Sequence, residues 1–100
     1  MELKGVNFDD TEIRAFCRRH GITRLALFGS ILGDAFGPTS DVDMLVEFES
    51  RRNVSLFDLG GMVMEMRDLI GREVDLRTPL DLSRYFREDV LRKARVLYAA

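Results

Sequence analysis

The sequence predicts a small α+β protein in which helices and β-strands alternate along the chain. The chain has 100 residues, of which 46% are hydrophobic and 32% are charged, as is typical of a globular domain. Short apolar runs of strand length alternate with longer segments that repeat apolar residues at helical spacing. No internal repeat, linker or low-complexity tract divides the chain. Residues 1–100 are therefore expected to form one domain around one modest core.

The charge pattern disfavours two classes of function. Fifteen Lys and Arg against seventeen Asp and Glu give a net charge of −2, with no long block of either sign. We therefore expect no direct nucleic-acid binding and no attraction to anionic membranes. The longest uncharged stretch, residues 25–33, is far shorter than the ~20 apolar residues of a membrane span. The N-terminus lacks the apolar run of a secretory signal and Cys17 is the only cysteine, which predicts a cytoplasmic location.

A first helix is predicted over residues 10–20, beginning after Asp9, whose side chain suits an N-cap, and ending before Gly21. Its apolar face repeats at the i, i+3, i+4, i+7 spacing and comprises Ile13, Phe16, Cys17 and His20. This pattern favours a buried thiol at Cys17 over a nucleophile. His20 has no second histidine near it, so a capping or packing role is favoured over metal binding.

A buried strand is predicted over Ile22–Phe28, an apolar run that ends at Gly29. Ser30 is expected to cap a short helical segment that extends through Ala35. The turn-forming residues 37–40 then lead into the next strand.

The second predicted strand, Val42–Phe48, places carboxylates on one face. Side chains alternate along a strand. One face thus carries Val42, Met44, Val46 and Phe48, and the other carries Asp41, Asp43, Leu45 and Glu47. Asp41 and Asp43 are therefore expected to lie side by side.

A second helix is predicted from a capping box formed by Ser55 and Asp58 to a stop at Gly71. Its predicted buried stripe is Leu59, Val63, Met66 and Ile70. Core filling is favoured over a cofactor pocket for its three methionines, Met62, Met64 and Met66. Gly60 and Gly61 each cost about 1 kcal/mol relative to Ala inside a helix, which indicates either close packing or a later helix start.

A third strand is predicted over residues 73–77, with Asp75 facing away from the core and Pro79 ending the strand. Residues 82–94 show the spacing of one or two short helices, and residues 96–98 are expected to form an edge strand. The basic residues of this region interleave with two acidic ones, so a solvated helix face is favoured over a docking site. They are Arg84, Arg87, Arg92, Lys93 and Arg95.

Three carboxylates and a glycine–serine turn are the candidate functional groups. Asp41 and Asp43 cannot easily ionise together without cations between them, and hard divalent cations such as Mg²⁺ favour oxygen ligands. A turn at Gly29 brings backbone N–H groups close to a ligand, and a helix start at Ser30 favours an anion. A nucleoside triphosphate with magnesium would suit both parts of such a site, since the metal ion suits the carboxylates and the phosphates suit the turn. The alternative is an ordinary strand-to-helix turn beside surface aspartates.

These residues carry a family resemblance. The segment Leu27-Phe28-Gly29-Ser30 is followed after ten residues by Asp41-Val42-Asp43, and the chain resembles the minimal nucleotidyltransferases of the polymerase-beta-like superfamily over nearly its whole length. The resemblance implies a two-layer nucleotidyltransferase fold, a small mixed sheet with flanking helices. It also implies that the catalytic, metal-binding residues are Asp41, Asp43 and Asp75, and that Gly29 and Ser30 grip the triphosphate.

The resemblance implies magnesium-dependent transfer of AMP from ATP, with two Mg²⁺ ions at the carboxylates. A chain this short is expected to need another polypeptide or a second copy of itself to complete the acceptor site. Family members typically accompany a HEPN-type toxin, which implies an antitoxin that adenylylates its toxin. Transfer to a small molecule such as an aminoglycoside is less favoured, because it usually needs an extra domain.

One departure from the family pattern keeps an alternative open. Many relatives carry an Arg three residues after the motif serine, followed by Gly, where this chain has Gly33 and Asp34. The loss of a cation beside the triphosphate predicts weakened catalysis. Arg24, Arg77 or a basic residue from a partner are candidates to replace it. The alternative function is therefore a catalytically weak or inactive antitoxin that neutralises its partner by binding alone.

Overall fold

The computed structural model describes residues 1–100 and contains six strands and three α-helices. The strands are β1 (Glu2–Leu3), β2 (Val6–Asn7), β3 (Ile22–Phe28), β4 (Val42–Phe48), β5 (Val74–Arg77) and β6 (Arg95–Ala99). The helices are α1 (Asp10–Arg19), α2 (Leu56–Ile70) and α3 (Arg87–Lys93). Short 3₁₀ turns cover Gly29–Leu32 and Pro79–Asp81.

Four of the strands form a mixed sheet in the order β5-β4-β3-β6. Strand β3 is antiparallel to both of its neighbours, whereas β4 and β5 are parallel. The predicted α+β class and mixed sheet are therefore confirmed. The predicted bounds of β3 and β4 are those observed, β5 starts one residue later than predicted, and β6 lies at the sheet edge as expected.

The helix boundaries follow from local chemistry. The Asp9 side chain accepts a hydrogen bond from the Glu12 N–H and caps α1. The predicted capping box of Ser55 and Asp58 opens α2, and Gly71 ends it in the left-handed conformation. His20 caps the end of α1 and packs against the Phe16 ring in a tilted arrangement, with 4.8 Å between ring centroids.

The core lies between α1, α2 and one face of the sheet. The fully buried side chains of the sheet alternate along the strands and include Leu25, Leu27, Val42, Met44 and Val46. Cys17 is buried with them, as predicted, and burial raises the pKa of its thiol to about 12. The thiol therefore stays protonated and unreactive in the folded protein.

The predicted buried stripe of α2 is only partly correct. Met66 is buried, Leu59 and Ile70 are half-buried against the core, and Val63 is half-buried without belonging to it. Met62 is buried in its place, whereas Met64 is exposed, so core filling is wrong for Met64. Both Val63 and Met62 fit helical spacing from Leu59, so only the packing of α2 against the sheet decides between them.

The structure contains a hairpin that the sequence analysis missed. Strands β1 and β2 pair through a tight turn in which Lys4 and Gly5 both have positive φ. Two-residue strands are too short to show alternation of apolar and polar residues. A glycine at the second position of a two-residue turn, as at Gly5, is nevertheless a common signal for a hairpin. The hairpin contributes Val6 to the core and leads to the buried Phe8.

The segment after β3 is shorter than predicted. A single 3₁₀ turn covers Gly29–Leu32 and ends at Gly33, so there is no helix through Ala35. Ser30 does not cap it, because Phe28 occupies the N-cap position without a side-chain hydrogen bond. The fully buried Ile31 holds the turn against the core.

None of the three helices has the length and apolar character that a bilayer crossing requires.

Neither explanation expected for Gly60 and Gly61 is correct. Both lie inside α2, and a Cβ added at either one would meet no atom within 4 Å. Nothing in the structure explains these glycines. We therefore expect Gly60→Ala and Gly61→Ala each to raise the free energy of unfolding by about 0.5–1 kcal/mol.

The matched control for these substitutions is Gly71→Ala at the end of the same helix. A Cβ there also meets nothing, but the φ of +71° disfavours alanine. Urea unfolding should therefore show stabilisation at positions 60 and 61 and destabilisation at position 71. Destabilisation by both internal substitutions would contradict the prediction.

Candidate active site

Strand register brings two of the candidate carboxylates together. Asp43 on β4 pairs directly with Asp75 on β5 and with Phe28 on β3. These three residues lie on the sheet face opposite α1 and α2, because the residues adjoining them in β3 and β4 point into the core. Asp41 immediately precedes β4 and is exposed. The parallel pairing of β4 and β5, which the sequence does not reveal, thus places Asp75 beside Asp43.

Gly29 lies directly against the Asp43 carboxylate. It has a φ of +78°, and a Cβ built on it would be only 2.3 Å from the Oδ2 atom of Asp43. Any L-residue at position 29 would therefore meet both a strained backbone and a carboxylate oxygen. Gly29 itself is exposed, and Ser30, the next residue of the turn, is half-buried.

The carboxylates repel one another in this site. Burial, followed by the negative charges of Asp75 and then Asp41, raises the pKa of Asp43, and the positive charge of Arg77 opposes this rise. A half-buried carboxylate with two like charges beside it is a group that a bound cation would stabilise.

Asp75 is engaged by a cation of the same strand. The Nε atom of Arg77 lies 3.2 Å from Oδ2 and 3.3 Å from Oδ1 of Asp75. As the side chains stand, no group of three acidic, histidine or cysteine side chains is gathered closely enough to hold a metal ion. The oxygen donors and the repulsion at Asp43 nevertheless fit a divalent cation, which would be held by Asp43 with Asp75 and Asp41.

Arg72 positions the loop that leads to Asp41, a role that the sequence analysis missed. Its Nη2 atom donates to the carbonyl oxygens of Gly37 at 2.9 Å and Ser40 at 2.6 Å. The guanidinium also lies over the Phe36 ring, 4.5 Å from the centroid. No local pattern could have indicated these contacts, because Arg72 is more than thirty residues away along the chain.

Neither arginine suggested as a replacement for the missing cation is free. Arg77 contacts Asp75, and Arg24 lies 3.9 Å from Glu47 towards the other end of β3. The carbonyl oxygen of Gly33, the residue at the arginine position, accepts a hydrogen bond from the Lys4 ammonium.

Comparison with known proteins identifies the family. Residues 11–98 match the family model described as "Nucleotidyltransferase domain". The chain belongs to the nucleotidyltransferase family. A curated relative of this nucleotidyltransferase, from Methanocaldococcus jannaschii, is 34% identical over 76 residues. The match covers 76% of this chain and 80% of the relative, which is provisionally named a protein adenylyltransferase.

Solved structures share the fold of this nucleotidyltransferase. One, provisionally named a minimal nucleotidyltransferase, is 34% identical, with a TM-score of 0.66 over 88% of this chain and 95% of that one. A toxin–antitoxin structure with AMP-PNP gives a TM-score of 0.72 at 17% identity over 93% of this chain and 75% of that one. A complex of an AMPylated Shewanella oneidensis HEPN toxin with an MNT antitoxin gives a TM-score of 0.64 at 16% identity. That match covers 91% of this chain and 70% of the other. The predicted nucleotidyltransferase fold is thus confirmed.

Proposed function

We propose that this nucleotidyltransferase transfers AMP from ATP to a protein acceptor, in a magnesium-dependent reaction, and that the acceptor is a HEPN-type toxin for which it serves as antitoxin. The observation that carries the proposal is the contact of Gly29 with Asp43, on the strand next to Asp75. A turn whose backbone N–H groups would bind phosphate in this proposal therefore lies beside a carboxylate pair. The names of the relatives, a protein adenylyltransferase and an MNT antitoxin with an AMPylated toxin, support the choice of substrates.

The carboxylates of Asp41, Asp43 and Asp75 would hold the magnesium ions. Bound there, magnesium would offset the charge of the triphosphate and lower the pKa of the attacking hydroxyl. The backbone N–H groups of the Gly29 turn and the Ser30 hydroxyl would hold phosphate oxygens and orient the α-phosphorus.

The transfer exchanges a phosphoanhydride bond of ATP for a phosphoester bond to the acceptor. The acceptor hydroxyl oxygen attacks the α-phosphorus, a new oxygen–phosphorus bond forms, and the bond to the bridging oxygen breaks to release pyrophosphate. Asp75 is the proposed proton acceptor for the hydroxyl, since its carboxylate lies at the edge strand where a protein acceptor can approach.

The test is incubation of the protein with a HEPN-type toxin, ATP and Mg²⁺, followed by intact-mass measurement of the toxin. We expect a mass gain of one or more AMP groups, and none when Mg²⁺ is removed with a chelator. A toxin whose mass is unchanged under all conditions would contradict the proposal.

Neutralisation by binding alone is the second candidate function, favoured by Gly33 at the position of the family arginine. Asp43→Asn separates the two functions, because it removes a proposed metal ligand without changing the outer surface of the helices. If the variant still neutralised the toxin fully in the absence of ATP, binding alone would be the function.

A further inference from the structure

An open cavity of about 320 Å³ lies beside the Gly29 turn. It is lined by Phe28, Gly29, Leu32, Gly33, Asp89, Val90 and Lys93. The turn thus forms one wall and helix α3 forms the other. A ligand held by the backbone of Gly29 would face the side chains of α3.

The sheet register explains why Lys93 reaches this cavity. Leu27 on β3 pairs with Arg95 on β6 in antiparallel register. Continuing that register beyond the strand ends brings residue 93 opposite residue 29. Phe28 pairs with Asp43 on the other side. The Gly29 turn therefore has the carboxylates of β4 and β5 on one side and the Lys93 ammonium on the other.

Lys93 is the only cation among the residues that line the cavity. Its Nζ atom lies 3.1 Å from Oδ2 of Asp89, and its side chain is 67% exposed. Arg92 also contacts Asp89. Asp89 would therefore keep one cationic partner if Lys93 turned towards an anion in the cavity. An exposed ion pair of this kind contributes little stability, so its exchange for a phosphate costs little.

The other cations around the turn are less well placed for an anion at Gly29. The Lys4 ammonium donates to the Gly33 carbonyl oxygen and lines a different cavity, and Arg77 contacts Asp75. Arg95 shares its sheet face with the buried Leu27, which is opposite to the face of Asp43. Lys93 is thus the cation whose place and contacts suit an anion at Gly29.

We propose that Lys93 binds the β- and γ-phosphates of the nucleoside triphosphate whose phosphate groups are held at Gly29 and Ser30. The proposal rests on the proposed function, and it assigns to α3 the positive charge that Gly33 cannot provide. The Lys93 ammonium would leave Asp89 and donate hydrogen bonds to phosphate oxygens that AMP lacks. Lys93 would thereby favour triphosphate over monophosphate.

The test compares binding of AMP-PNP and of AMP, each with Mg²⁺, by titration calorimetry. We expect Lys93→Gln to weaken AMP-PNP binding about tenfold, the effect of one charge-assisted hydrogen bond. Binding of AMP should change by less than about twofold. Lys93→Arg should retain most of the affinity for AMP-PNP.

Arg92→Gln is the matched control, because it removes the same charge and a contact with the same Asp89 but does not line the cavity. It should leave the preference for AMP-PNP over AMP intact. Thermal unfolding of both variants checks that the fold is retained. Equal AMP-PNP affinity in Lys93→Gln and wild type, equal losses for both nucleotides, or no AMP-PNP binding by the wild type would overturn the proposal.

The outcome is separable from that of the proposed function. A selective loss of AMP-PNP affinity in Lys93→Gln, with no AMP transfer to the toxin by the wild type, would support the role of Lys93 and contradict the transfer. Transfer that is equally fast in wild type and Lys93→Gln at limiting ATP would overturn the role of Lys93 and leave the proposed function intact.

Discussion

Asp43→Asn is expected to abolish AMP transfer and, at the same time, to stabilise the metal-free protein. The neutral amide removes one proposed metal ligand from the middle of the site. Charge stabilisation by a bound metal amounts to several kcal/mol, so transfer should fall by about a thousandfold or more. The initial rate of AMP incorporation into the toxin measures this effect.

The stabilisation follows from the raised pKa of Asp43, whose causes are burial and the charges of Asp75 and Asp41. Between its ordinary value of 3.8 and this higher pKa, the folded chain binds more protons than the unfolded chain. The free energy of unfolding therefore falls as the pH rises through that window, and above the higher pKa the full loss is present. Because asparagine carries no charge, Asp43→Asn removes this loss of stability.

Asp68→Asn is the control for the change in net charge, because Asp68 is exposed on α2. It should leave both the transfer rate and the melting temperature nearly unchanged. If Asp43→Asn melted at a lower temperature than the wild type in the presence of a chelator, the claim that the carboxylates repel one another in the metal-free protein would be contradicted. Undiminished transfer would contradict the role of Asp43.

Gly29→Ala is expected to have the second large effect. Alanine in the left-handed conformation costs about 1–2 kcal/mol, and its Cβ would meet the Oδ2 atom of Asp43 at 2.3 Å. Asp43 must shift to relieve that contact. A misplacement of about 1 Å lowers catalytic rates about a hundredfold, so transfer should fall by that factor even in molecules that fold. Urea unfolding and the transfer rate measure the two effects.

Gly37→Ala is the matched control in the same part of the chain. A Cβ at Gly37 meets no atom within 4 Å and its φ is not in the left-handed region. We expect a change of less than about 0.5 kcal/mol and an unchanged rate of transfer. If Gly29→Ala were as stable and active as Gly37→Ala, the close contact between the turn and Asp43 would have no functional role.

The elements with strong local signals could be predicted from the sequence. The N-cap at Asp9, the capping box at Ser55 and the left-handed stop at Gly71 are formed by neighbouring residues, so the helices they bound were predicted to within a residue. The apolar runs of β3 and β4 were equally clear. Shorter elements were less predictable, because two-residue strands and a single 3₁₀ turn have too few residues for a period.

For the candidate site, the residue types and their spacing could be read from the chain, whereas their partners could not. Gly29, Ser30 and the aspartates stand out because they occur together at the spacing of the family motif, whereas each alone is common in proteins. The contact of Arg72 with the loop before Asp41, and the approach of Lys93 to the Gly29 turn, join residues far apart in sequence. Only packing determines such contacts.

The sequence by itself determined α1 and α2, the two long strands, the burial of Cys17 and the family of the protein, because short-range periodicity and a spaced motif encode them. Only the tertiary structure decided that β5 lies parallel to β4 with Asp75 opposite Asp43, and that the glycine turn touches the Asp43 carboxylate. Strand pairing joins residues about thirty positions apart, and its register depends on the whole core. No local pattern of residues specifies that register.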